Sequence, residues 1–361
     1  MAPLAFADSG PACNAAAAGA CQIIYNDSGN SANHGDTGVS PPSITSTFTN
    51  TQTLTGVNGP SGWGAIQLET MAGSGGAADS DGGHGGAGGM GSNVTATVGA
   101  GVTAQGINSG GILRFTAQGG TGAPGQGDHV GNPGVGGVGG GGGAVWVQMD
   151  GTVTSKDAGS PGLYMQSLGG TSAMSGKGGS DGFFGPLSGN AGGSNSVTAN
   201  IGGRIDTVGT GASINGIGGA GGDGVGDSGG LSESEARAGG NGGSSVYAVQ
   251  ATVTGSIQSS AGDGIDVLAA GGAGGQGGTA HSAPDSSTGG AGGAGGSAPT
   301  AQLTISGQVG GALQGASVAS SGGAGGAAGG AGDSTASGGG AGGAGGNGGP
   351  ATLTLQAGAR L

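Results

Sequence analysis

Apolar and polar residues alternate in short stretches that recur along the chain. Val94, Ala96 and Val98 form one stretch, and Val145, Val147 and Met149 repeat it. So do Val197, Ala199 and Ile201, then Val249, Ala251 and Val253, then Ala301, Leu303 and Ile305, and finally Leu353, Leu355 and Ala357. A period of two with β-branched residues predicts strands that bury one face. A second strand follows each first one, marked by Val102, Val153, Ile205, Ile257, Val309 and Leu361, at spacings of 51 and then 52 residues. A third begins after Gly62, Gly111, Gly162, Gly211, Gly264 and Gly315, as in GIDVLAAGG. No apolar period of 3.6 residues runs long enough to predict a helix.

Because every strand has a counterpart about 52 residues on, stacking like on like pairs the strands parallel and in register. The expected fold class is therefore all-β, a parallel β-solenoid with three strands per unit. Residues 1–39 are expected to form a secretion-signal remnant and capping segment, and residues 40–361 the repeats, with the last unit incomplete. Ile44, Phe48 and Leu54 belong to a rougher first copy.

Each third strand runs into glycine. Gly271 to Gly278 and Gly289 to Gly296 hold glycine at two of every three positions, on either side of a polar loop at 279–288. With 104 glycines and 12 prolines in 361 residues, the composition would indicate disorder if it had no period. Collagen is excluded, because it needs glycine at every third position and abundant proline. A triplet period fits a polyglycine-II-like helix, which leaves each N–H and C=O to find lateral partners. In a solenoid those partners come from the coils above and below. The runs are expected to stack into a blade, about 25 Å long for eight residues at ~3.1 Å each. Ala273, Gln276, Ala291 and Ala294, in the third positions, should point out of it.

The net charge is −13, with six Lys and Arg in all, which excludes a phosphate-binding surface and with it nucleic acid. No apolar stretch approaches the 18 residues of a membrane span. Ala5-Phe6-Ala7 fits the small-x-small pattern of a signal cleavage site, so the chain is expected outside the cell or at its surface. Cys13 and Cys21 are the only cysteines, and in an exported chain the pair is expected to form a disulfide.

Little in the sequence suggests catalysis, and no cofactor is expected. His34, His84, His129 and His281 fall at non-equivalent places in the repeat. The segment AGDGIDVLA at 261–269 nearly matches a calcium-binding nonapeptide, with Asp263 and Asp266 as weak candidate ligands, but it occurs without the tandem copies such sites need. Thr45, Thr47, Thr49, Thr51, Thr53 and Thr55 alternate as if along one strand face, which raises an ice-binding protein as the alternative, although the rank decays in later copies. One excursion has an apolar turn, Phe183, Phe184, Pro186 and Leu187 in DGFFGPLSG, a candidate contact tip. The final unit supplies two strands and stops with Leu353, Leu355 and Leu361 in core register, an expected site of end-to-end assembly.

Repeats such as GIDVLAAGG followed by GGAGGQGG resemble the passenger regions of glycine-rich autotransporter-type adhesins of Gram-negative bacteria. The likeness covers residues 40–361, and its motifs carry architecture more than activity. It implies a right-handed solenoid displayed at the cell surface, serving adhesion, aggregation or matrix building through a receptor, a neighbouring cell or further copies. The run GGAGGNGG at 342–349 is similar as well to mycobacterial PGRS-type proteins.

Overall fold

A computed structural model of the chain describes residues 21–26, 36–49, 51–56, 64–78, 83–106, 111–125, 135–156, 159, 161–174, 188–225, 233–236, 238–245, 247–280, 286–331 and 337–361. Among these there is no helix, and the strands form parallel sheets stacked in register.

The first sheet has seven strands: Cys21–Asn26, Ile66–Met71, Leu113–Gln118, Leu163–Leu168, Ala212–Ile217, Ile265–Ala270 and Ala316–Ser321. The second also has seven: Ile44–Phe48, Val94–Val98, Val145–Met149, Val197–Ile201, Val249–Val253, Ala301–Ile305 and Ala351–Leu355. The third holds Gln52–Thr55, Val102–Gly106, Thr152–Ser155, Arg204–Thr207, Ser256–Ser259 and Gln308–Gly310. One coil runs through the second sheet, the third, the first and then the glycine excursion. Cys21–Asn26 lies inside residues 1–39, so that segment supplies a paired strand.

The alternation seen in the sequence sets which face is buried. Ile66, Leu113, Leu163 and Ile265 stand in one inward row of the first sheet, and Leu68, Phe115, Met165, Ile214 and Val267 in the next, all buried. Full burial of such a side chain contributes about 1.5–3 kcal/mol. A third inward row is small: Ala117, Ser167, Gly216 and Ala269. Here the chain leaves the core and the second sheet closes in, and a Cβ on Gly216 would lie 2.6 Å from Val249 Cγ2. Hydroxyls in this row hold the crossing segment: Thr70 Oγ1 donates to the Ser92 carbonyl at 2.7 Å, and Ser167 Oγ accepts from the Asn195 amide at 2.8 Å.

One register differs from the sequence reading. Val153 pairs with Ala104, not Val102, because the corner between Val98 and Ala104 holds two more residues than the corner after Met149. Two extra residues preserve the alternation, so Val102 and Ala104 are both buried.

The glycine runs form the expected blade, and their hydrogen bonds repeat every three residues. The first glycine of each triplet donates to the same run one coil on: Gly274 to Ala324 O at 2.8 Å, Gly277 to Ala327 O at 2.9 Å. The second donates to an oppositely directed run: Gly275 to Gly240 O and Gly293 to Gly275 O, both at 2.8 Å. An ideal Cβ on Gly292 would stand 2.0 Å from Gly326 O, and one on Gly293 2.0 Å from Gly240 O. Third positions point outward, as at Ala273 and Ala291, which are exposed. At the far edge of the blade Glu233–Glu235, Ser286–Thr288 and Ser337–Gly338 pair as a further small parallel sheet that the sequence did not reveal.

Candidate interaction surfaces

The solenoid offers outward sheet faces, the blade faces and the edge of its last coil. On the first sheet, Arg114 forms an ion pair with Glu69, whose side chain is only 8% exposed, and lies 5.5 Å from the Tyr164 ring centre. Burial pushes the Tyr164 hydroxyl above its usual pKa, and the Arg114 charge works against that shift. These side chains staple neighbouring coils.

Asp266 stands on the same face, between Ser213 and Ser317. Partial burial holds its carboxyl above the ordinary value near 3.8, the Asp263 charge acts in the same direction, and a hydrogen bond from Ser317 opposes both. Among the described residues no group of three or more His, Cys, Asp or Glu side chains is placed to hold a metal ion. A raised native pKa means that the folded chain binds this proton more tightly than the unfolded chain. Ionising Asp266 therefore lowers stability as the pH rises from about 3.8 through the raised value. Asp266→Asn is expected to melt at a slightly higher temperature than the parent protein at pH 7, and the gain should vanish below pH ~3.5. A gain independent of pH would show that the carboxylate is not the cause.

His84 is exposed, and its Nδ1 accepts the Val135 amide of the next coil at 3.1 Å. Asn190 and Asn241 do the same for Asn241 and Ala294, at 3.0 and 2.9 Å. Polar third-position side chains thus satisfy outward amides that the blade lattice leaves over. His34, His129, His281 and the contact tip Phe183, Phe184, Pro186 and Leu187 lie outside the described residues. Cys21 is buried and disulfide-bonded, and Cys13, the chain's other cysteine, also lies outside the described residues.

The threonines at 45–55 do not share one face. Thr45 and Thr47 point outward from the second sheet, whereas Thr53 and Thr55 point outward from the third, beyond the corner. Followed across coils instead, the outward column of the second sheet reads Thr45, Thr95, Trp146, Thr198, Gln250, Gln302 and Thr352. The column beside it is threonine except for Gln148 and Asn200. Neither column carries a charge. Trp146 is 37% exposed.

The last coil is uncovered on one side. Leu353 and Leu355 pair with the fully buried Leu303 and Ile305, yet are 42% and 53% exposed, and Leu361 is 59% exposed. On the blade side of this coil, a Cβ on Gly342 would meet no atom closer than 3.9 Å, whereas one on Gly343 would stand 1.9 Å from Gly293 O.

No helix among the described residues is long and apolar enough to cross a membrane. Comparison with known proteins gives no match to this chain among family models, curated proteins or solved structures.

Proposed function

We propose that this protein is a non-enzymatic structural element of the cell exterior, an adhesin or fibre component that mediates attachment or aggregation. The observation that carries the reading is the continuous stack itself. Core sheets and glycine blade rise coil by coil in one register, giving an extended scaffold with repeated faces. The resemblance to glycine-rich autotransporter-type adhesins supports the same reading, as do the alanine-rich signal-like start and the disulfide at Cys21.

The partner that best matches Leu353, Leu355 and Leu361 is a further run of the same repeat, and whether a second copy of the chain can supply it is open to direct test. Unpaired strand edges template such association. The purified chain is expected to show light scattering that rises with concentration, and long unbranched fibres in electron micrographs. Leu353→Asp with Leu355→Asp should abolish both while leaving the melting temperature within a few degrees, because those positions are exposed in the single chain. A parent chain that stays monomeric at high concentration would defeat the end-to-end reading.

A further inference from the structure

The geometry points to the outward face of the second sheet as a binding site for a neutral polysaccharide, centred on Trp146. This rests on the reading of the protein as a surface attachment element and names the class of molecule attached.

Tryptophan exposed on a regular sheet is unusual, since its large apolar ring is ordinarily covered or held in a binding surface. Here the ring stands between Thr95 and Thr198 of the neighbouring coils, with Gln148 beside it on its own strand. Gln148 is oriented, its Nε2 donating to Asp150 Oδ1 at 2.7 Å. Each group on the face offers hydroxyl, amide or indole N–H, so donors and acceptors are mixed throughout. The chain carries a net charge of −13, yet no charged residue stands in either column. The Asp150 carboxylate beside Gln148 is already held by Gln148 Nε2 and would repel an anionic ligand, whereas a ligand rich in hydroxyls and free of charge fits the two columns.

Pyranose sugars meet both demands. Their C–H face is weakly positive and apolar, and it stacks on the electron-rich face of an indole. Their hydroxyls exchange hydrogen bonds with threonine and glutamine. The coils repeat at about 4.8 Å, close to the rise of one residue in an extended glycan. A chain lying along the solenoid axis would meet an equivalent polar pair at each coil, with Trp146 as its one apolar anchor.

The test is affinity electrophoresis of the intact chain in native gels containing hydroxyethyl cellulose, xyloglucan, galactomannan or dextran, with alginate as the charged comparison. At least one neutral polymer is expected to retard the protein, and alginate is not. Trp146→Ala should weaken that retardation at least tenfold, Trp146→Phe should retain most of it, and neither should change the melting temperature, since the ring is outside the core. Absence of retardation by every neutral polymer would overturn the proposal, as would equal retardation of Trp146→Ala. Thermal hysteresis in ice without glycan retardation would also overturn it, and would assign the threonine columns to ice instead. Concentration-dependent self-association, measured without glycan, is unaffected by any of these results, so the two readings fail separately.

Discussion

Valine at Gly293 is expected to lower stability by about 2–4 kcal/mol, and valine at Ala291 by less than about 0.5 kcal/mol, although the two residues are near neighbours in one glycine-rich run. The Gly293 amide donates to Gly275 O of an oppositely directed run, and its Cα faces Gly240 O of the equivalent run one coil back. A Cβ 2.0 Å from that carbonyl must push the two backbones apart. Backbone hydrogen bonds on both sides then lengthen together, because the neighbouring runs are bonded in turn to the coils beyond them. Ala291 already carries its side chain into solvent. Gly292→Val should behave like Gly293→Val, with its clash directed at Gly326 O. Melting temperatures of the three variants decide the matter. Equal tolerance at 291, 292 and 293 would mean that the triplet phase does not order the run.

Phe115→Ala should cost about 3–5 kcal/mol, the range for emptying a buried aromatic site. Phe115 is fully buried in the inward row between Leu68 and Met165. Its neighbours in the stack are fixed by ladder bonds to coils on either side, so they cannot collapse far into the space. The consequence should also be local. In a stack where each coil touches only its neighbours, stability is a sum of coil and interface terms. Amides of Ile66–Met71 and Leu163–Leu168 should lose protection from exchange, while those of Ile265–Ala270, three coils away from Phe115, keep most of theirs. Uniform loss along the whole chain would show instead that the solenoid unfolds as one unit.

The solenoid was legible because two short periods reinforce a long one. Alternation at Val197, Ala199 and Ile201 states which face is inside, and its recurrence at Val249, Ala251 and Val253 states what stacks on it. The glycine triplets were legible for the same reason, since only a three-residue phase leaves one outward position per turn. What escaped lacks a period or depends on corners. Glu233–Glu235 and Ser286–Thr288 are short polar strands created by their neighbours, with no apolar face to announce them. The corner before Ala104 absorbs two residues without disturbing the alternation, so spacing alone favoured Val102. The threonine rank was misassigned because a corner lies between Thr47 and Thr53. Trp146 gains meaning only when its partners across coils, Thr95 and Thr198, are set beside it.

Hydrogen exchange of the blade amides tests the central claim, that the glycine runs are ordered layers of the same stack. The expected record has a period of three. Gly274, Gly275, Gly292 and Gly293, all bonded within the lattice, should exchange on the scale of strand amides such as Val267, while the outward amides of Ala273 and Ala291 exchange quickly. Exchange at random-coil rates throughout 271–278 and 289–296 would remove the blade and leave these segments as linkers hung on a β-solenoid.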